Sequence, residues 1–247
     1  MSELILFFVA GIVGGIVNSA AGGAKLFVFP MLLAAGLPPL MATATSAVAL
    51  WPAQIPAVWV NRKGLFDAPG ALLRQMLPAL IGALFGAFAL IFSSEQGFLT
   101  AVPVLLLIAV GAILMGKRLT TLMQRAFPGG RLKKATTVLM FAVGFYGGYF
   151  GAGLGFMLIA VLSVAGGLSL QKANTMKNLT AFSLSTVAVI PISLSGLVVW
   201  NAALTVLLGG LIGGFLGGHL TKRLPETPMR IGVAVVGLVL VGSYLIL

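Results

Sequence analysis

Apolar runs about as long as a membrane is thick dominate this chain of 247 residues. A helix needs roughly 20 residues to cross a hydrocarbon core of about 30 Å. Six runs have nearly that length: 42–60, 71–92, 99–116, 178–200, 202–220 and 231–247. Hydrophobic residues make up 60% of the chain and charged residues 8%, which is more apolar surface than a water-soluble fold can bury. The sequence therefore predicts an all-α polytopic membrane protein.

The charged residues lie in the gaps between these runs. Of the 15 Lys and Arg residues, 14 fall in four predicted loops, 61–74, 117–134, 172–177 and 222–230. The positive-inside rule favours an arrangement that puts all four loops on the cytoplasmic face. We interpret the basic segment 117–134 as a topology signal rather than a nucleic-acid site, which would need a folded basic face with aromatic residues. No carboxylate is predicted inside a span, since Glu3, Asp67, Glu95 and Glu226 all lie at ends or in gaps.

The chain repeats itself. Gly14-Gly15, Asn18 and Gly22-Gly23 are followed 133 residues later by Gly147-Gly148, and then by Gly151, Gly153 and Gly155. Segment 81–87 matches segment 212–218 at an offset of 131. Chance is the alternative, because glycine and leucine are abundant, but two ordered matches at nearly one offset favour a duplication. We predict a first transmembrane repeat over 1–116, a basic cytoplasmic linker over 117–134 and a second repeat over 135–247.

Each repeat begins with two apolar pieces that are short for a membrane span. The pieces are 4–17 and 26–35 in the first half, and 137–150 and 154–166 in the second. They predict a Gly-broken helix hairpin, either re-entrant or a short pair, of a kind that survives at depth only when buried in protein or lining a wet cavity. Each half then has three full spans plus a hairpin. Because three is odd, the two repeats have inverted topology and both termini face outside.

Some features of the sequence limit other interpretations. A cleaved signal peptide over 1–17 is an alternative, but the segment has no basic leader and takes part in the repeat. The chain has no cysteine, so disulfides and thiolate metal sites are absent, and no metal or cofactor site is predicted.

The order of these motifs resembles a known family. Gly14-Gly15-x-x-Asn18 leads through Gly22-Gly23 to Pro30 and then to 42–46, and the pattern returns as Gly147-Gly148 through Gly155 to 172–178. It is similar to that of the sulfite exporter TauE/SafE family, also called toluenesulfonate uptake permeases, over nearly the whole chain. The resemblance implies a multi-pass transporter of sulfite, sulfonates or related organic anions in a prokaryotic inner membrane. Lys25 and the incomplete triple glycine at 153–155 depart from the pattern and leave the substrate open.

Inverted-repeat transporters hold substrate near the midplane, where broken helices aim their N-termini at anionic groups. The predicted substrate-binding residues are therefore the polar and glycine residues of the two breaks and of the helix starts that follow, with Gln54 as a weaker candidate. They are Asn18, Ser19, Gly22, Gly23, Lys25, Thr43, Thr45, Ser46, Gln54, Gly151, Gly153, Gly155, Asn174, Thr175, Lys177 and Asn178. Close packing is the alternative role for the glycines, and helix capping for the hydroxyl and amide residues.

Two further features have predicted roles outside the site. The small-residue ridges of the glycines at 209, 213 and 217 and at 210, 214 and 218 are predicted to serve helix packing. His219 is predicted to lie at the cytoplasmic interface. Lys25 is the one basic residue outside the cytoplasmic set, and either it holds the substrate or its side chain snorkels to the outer surface.

The sequence thus predicts a secondary transporter of a small anion that works by alternating access, with the lipid bilayer and the anion as partners and no nucleic acid. An anion channel or uniporter with a Gly-lined pore, and a non-transporting accessory protein, stay open, as does a homodimer. An enzyme is not predicted, because only a serine–lysine arrangement of Ser19 and Lys25 could supply a nucleophile and its base.

Overall fold

The computed structural model describes residues 2–21, 23–60, 69–126, 133–164, 168 and 170–220, together with seven positions between 231 and 242. Within these residues the chain consists of α-helices joined by short turns, one of which contains a 3-10 turn, and it contains no β-strand. The prediction of an all-α chain is confirmed.

The helices are numbered here in chain order. They are α1 (Ser2–Ala21), α2 (Lys25–Ala34), α3 (Pro39–Leu50), α4 (Ile55–Val60), α5 (Pro69–Ile91), α6 (Glu95–Ala126), α7 (Lys133–Tyr149), α8 (Leu154–Val164), α9 (Leu170–Leu194) and α10 (Trp200–Leu220). The 3-10 turn Pro52–Gln54 separates α3 from α4 within the predicted span 42–60. Pro52 and Pro56 have no backbone N–H, so an uninterrupted α-helix is disfavoured there.

Three described segments are long and apolar enough to cross a membrane: Glu95–Gly116, Met176–Leu194 and Trp200–Gly217. Shorter apolar helices cover Glu3–Asn18, Lys25–Ala34, Met76–Ile91 and Leu154–Ser163. These lengths agree with a helical membrane protein that contains both full spans and short pieces. Most of the predicted last span, 231–247, lies outside the described residues.

Some helix boundaries differ from the prediction. The predicted loop 172–177 is wrong, because α9 begins at Leu170 and no glycine or proline interrupts the next 20 positions. Helix α1 has 20 residues, or about 30 Å, and so is longer than the predicted 14-residue piece. Helix α6 continues to Ala126, through the first ten residues of the predicted linker. In each case helix-forming residues continue the helix where the sequence pattern suggested a boundary.

Both predicted helix breaks exist as turns between helices that fold back on each other. Gly14 of α1 packs against Val28 of α2, so α2 returns along α1. In the second half α7 ends at Tyr149 and α8 begins at Leu154, and Gly151 and Gly153 have φ angles of 77° and 70°. Residues with a Cβ rarely adopt this left-handed region. Glycine is therefore required for the chain to turn at the second break.

The helices of the two halves cross over to pack on each other. Helix α1 lies on α10, with Gly11 against Val206 and Gly15 against Gly210, and a side chain on either glycine would meet the partner backbone. Residue numbers rise together along the contact, from Gly11 to Gly15 on α1 and from Val206 to Gly210 on α10, so α1 and α10 run parallel. The predicted packing role of the glycines at 209, 210 and 213 is confirmed.

A second pair repeats this packing. Helix α5 lies on α7, with Gly144 against Ala79 and Gly148 against Ala83. Gly144 and Gly148 follow Gly11 and Gly15 by 133 positions, and the partner residues Ala79 and Ala83 precede Gly210 and Gly214 by 131. The contact that α1 of the first half makes with α10 of the second is thus repeated by α7 of the second half and α5 of the first.

Candidate functional site

The two helix breaks meet in the interior of the protein. Lys25 is the first residue of α2, directly after the first break, and Phe150 directly precedes Gly151 in the second. The Nζ atom of Lys25 lies 5.5 Å from the centroid of the Phe150 ring. This cation–π contact joins residues that are 125 positions apart, and it places the partly buried Lys25 where the two halves touch.

Aromatic rings surround Phe150, which is fully buried. Its ring makes edge contacts with Phe29 of α2, at a centroid distance of 5.5 Å, and with Tyr146 of α7, at 6.3 Å. Phe98 of α6 lies 6.4 Å away and is also fully buried. Three helices therefore supply a rigid apolar wall behind the Lys25 ammonium group.

The Tyr146 hydroxyl fastens the second break to the protein. It donates to the carbonyl oxygen of Ala152 at 2.7 Å and lies 3.2 Å from that of Leu105 on α6. Gly153 also lies so close to Ala109 of α6 that a Cβ would crowd its backbone. The second break is held in one conformation by α6 and α7.

The charge of Lys25 is not balanced by a described carboxylate. Glu3 lies at the far end of α1, 18 residues or about 27 Å from Ala21, and Glu95 is exposed at the start of α6. Asp67 and Glu226 lie outside the described residues. A cation–π contact contributes about 0.5–2 kcal/mol. A lysine that lies among apolar groups without a counter-charge is unfavourable, so an anion at Lys25 would be stabilising.

The three predicted hydroxyl residues of α3 are fully buried and have different partners. The Thr45 hydroxyl accepts a hydrogen bond from the backbone N–H of Val199, just before α10, at 3.0 Å. The Ser46 hydroxyl donates to the Thr43 carbonyl oxygen at 2.9 Å. The Thr43 hydroxyl makes no hydrogen bond within the described residues. Thr45 thus supports the start of α10, and Thr43 is the one of the three whose hydroxyl has no described hydrogen-bond partner.

The remaining candidates of the first break lie around the end of α1 and the start of α2. Asn18 is partly buried in α1 and Gly23 is buried in the turn. Helix α2 has no side-chain cap at its N-terminus, where Ala24 stands. The backbone of Ser19 lies in α1, and its side chain and all of Gly22 lie outside the described part of the chain.

In the second half, α8 and α9 bring two further candidates together. A Cβ on Gly155 would lie 3.4 Å from Cδ of Lys177, so the lysine stem packs against the start of α8. Lys177 and Asn178 are partly exposed. The backbones of Asn174 and Thr175 belong to α9, and their side chains are not among those described.

A second contact between the halves surrounds Gln54. Its Nε2 atom donates to Oγ of Ser185 on α9 at 3.1 Å, and its Oε1 atom is buried with no described partner. Trp51 donates from Nε1 to Oγ1 of Thr186 at 2.9 Å and stacks on Phe182 at a centroid distance of 6.1 Å. This cluster joins the interrupted segment between α3 and α4 to the continuous helix α9.

Sequence reasoning missed Phe150 and Trp51. It also missed three residues of α9 that contact Trp51 or Gln54, namely Phe182, Ser185 and Thr186. One signal was present, because Trp51 and Phe182, and also Gln54 and Ser185, are 131 positions apart. The first residues of α3 and α9 are separated by the same number. Contacts between such counterparts are expected where a twofold axis passes between two repeats.

Membrane-length apolar segments, helix breaks packed together in the interior and a cation with no described carboxylate partner are typical of a polytopic helical membrane protein. Comparison with known sequences defines it further. The sequence profile of the family described as sulfite exporter TauE/SafE matches residues 7–245. The chain belongs to this family of membrane transporters.

Several relatives are similar to the chain over most of its length. A protein of Escherichia coli strain K12 named probable membrane transporter protein YfcA is 28% identical over 209 residues, covering 83% of this chain and 75% of that protein. A probable membrane transporter protein of Haemophilus influenzae is 25% identical over 218 residues, covering 84% and 81%. The probable membrane transporter protein ORF9 of a Sinorhizobium species is 29% identical over 213 residues, covering 83% and 78%. No solved structure gives a significant match.

Proposed function

We propose that this protein is a secondary transporter that moves a small anion, such as sulfite or a sulfonate, across a prokaryotic inner membrane by alternating access. The observation that carries the proposal is the contact between Lys25 and Phe150, because it holds a cation without a described counter-ion where two helix breaks meet. The sulfite and sulfonate assignment draws on the family description. Transport rather than catalysis is consistent with the names of the relatives.

The anion binds between the two breaks. Lys25 supplies the charge, and the uncapped start of α2 adds the positive end of a helix dipole. Asn18, Gly23 and Asn178 add neutral donors from the adjoining segments. The aromatic wall behind Lys25 lowers the local polarity, which strengthens the electrostatic attraction between the ammonium group and the anion.

The two halves form an inverted repeat over 1–116 and 135–247. The reciprocal packing of α1 on α10 and of α7 on α5 supports this arrangement, since it is the isologous contact that a twofold axis generates. The contacts of Trp51 with Phe182 and of Gln54 with Ser185 support it independently, because each joins positions at the repeat offset. In this arrangement both termini face outside and the segment 117–134 faces the cytoplasm.

Flux measurements in liposomes test the function. Purified protein is reconstituted with internal sulfite, sulfate, methanesulfonate or a carboxylate, and uptake of the same labelled anion is followed. We expect saturable uptake that an internal anion accelerates by counter-transport. Unsaturated conductance would instead establish a channel, and neither binding nor flux with any of these anions would establish a non-transporting protein.

A further inference from the structure

The charge balance at Lys25 changes during any transport cycle that uses it. When an anion is bound, the ammonium group has a counter-charge. When the anion leaves, the described surroundings offer the ring of Phe150 and no carboxylate. A partly buried ammonium ion without a counter-charge is unfavourable, and proton release removes the charge. A lysine can lose its proton in such an environment, whereas an arginine cannot.

The other described titratable groups near α2 are not placed to take up or release a proton in place of Lys25. Helix α3, which packs on α2, contains no titratable residue. On α1 and α6 the described side chains of Glu3, Glu95 and Arg118 are exposed. On α7 the Tyr146 hydroxyl is bound to Ala152, and that of Tyr149 lies 3.2 Å from Oγ of Ser93. Helix α8 contributes no charge, and Lys177 of α9 packs against the start of α8.

We propose that Lys25 carries the coupling proton, so that the protein moves one proton in the same direction as each anion. This inference rests on the proposed function. The protonated amine binds the anion on one side of the membrane. On the other side the anion dissociates, the amine releases its proton to water, and the empty protein returns with a neutral lysine. Both the loaded and the empty site are then electrically neutral for a monovalent anion, which avoids carrying a net charge through the membrane interior.

The test uses methanesulfonate and sulfate, which stay ionised between pH 5 and 9, with a pH-sensitive dye inside proteoliposomes. We expect inward methanesulfonate flux to acidify the interior, with about one proton per anion. An inwardly directed proton gradient should drive accumulation of methanesulfonate, and a membrane potential imposed with potassium and valinomycin should not. Net methanesulfonate uptake by the wild type that moves no protons would overturn the coupling and leave the proposed function intact. A wild type that exchanges none of the tested anions would contradict the proposed function itself.

The variant Lys25→Arg separates binding from coupling. It keeps a positive charge that cannot be released, so we expect proton-driven accumulation to fall at least tenfold further than counter-transport does. Proton movement by Lys25→Arg at the wild-type ratio would overturn the role of Lys25. If this variant does not fold, the proton measurement on the wild type still decides the coupling. The matched control Glu95→Gln removes an exposed titratable group and should leave the proton ratio unchanged.

Discussion

The Nζ atom of Lys25, just after the first helix break, lies 5.5 Å from the ring centroid of Phe150, just before the second. Their contact means that neither break is an isolated local irregularity. A movement of one hairpin changes the surroundings of the charge on the other. The proposed alternating-access mechanism would use this relationship, since opening on one side must be sensed on the other.

Replacing Lys25 by Met keeps the length of the side chain and removes its charge. We expect anion affinity to fall about 10- to 100-fold, since a hydrogen bond to a charged group contributes about 1.5–3 kcal/mol. A thermal-shift titration of the detergent-purified variant measures this, because a ligand that binds the folded state raises its stability. The control Arg118→Met removes an exposed cation of α6. Unchanged affinity in folded Lys25→Met would show that helix N-termini and neutral donors bind the anion alone.

Close packing of α7 on α5 predicts opposite effects for two glycine substitutions. A Cβ at Gly148 would collide with the backbone of Ala83, whereas a Cβ at Gly111 of α6 would meet no atom within 4 Å. Gly148→Ala should therefore destabilise the protein by about 1–3 kcal/mol. Gly111→Ala should be neutral or stabilising by up to about 1 kcal/mol, because alanine favours a helix. Unfolding in detergent measures both, and equal stabilities of the two variants would contradict the crossed packing.

The contact between Gln54 and Ser185 predicts that a covalent link across the halves stops transport. The chain has no cysteine, so Gln54→Cys with Ser185→Cys gives one defined pair. We expect oxidation to form the bridge and abolish flux, and reduction to restore it, because alternating access requires the two halves to move relative to each other. Gln54→Cys alone serves as the control. Full activity of the fully cross-linked protein would exclude movement at this contact.

Topology can be tested with single cysteines labelled by an impermeant reagent. Ser94 lies exposed between α5 and α6, and Ser195 lies between α9 and α10. The proposed inverted repeat would place both outside and Gly130 in the cytoplasm. We therefore expect labelling of Ser94→Cys and Ser195→Cys from the outside and of Gly130→Cys only after permeabilisation. Same-side labelling of Ser94→Cys and Gly130→Cys would contradict the inverted arrangement.

The sequence by itself determined that the chain is a helical membrane protein and where its second break falls. Apolar runs of membrane length have no other stable fold, since every backbone group must be bonded internally. The glycines at 151 and 153 marked a turn because they can adopt a left-handed conformation. The order of the glycine motifs also indicated the family that the profile match confirmed.

Only the tertiary structure decided which distant residues meet. The sequence does not distinguish a glycine needed in a turn, such as Gly151, from one needed in a helix contact, such as Gly148. The structure does, because Gly148 lies against the backbone of Ala83 on a neighbouring helix. Likewise, nothing local to Thr45 indicates that its hydroxyl binds the N–H of Val199, 154 residues later. The Lys25–Phe150 contact depends on the packing of α2 against the turn between α7 and α8. Such contacts arise when both halves pack together, so local periodicity could predict the helices but not the site between them.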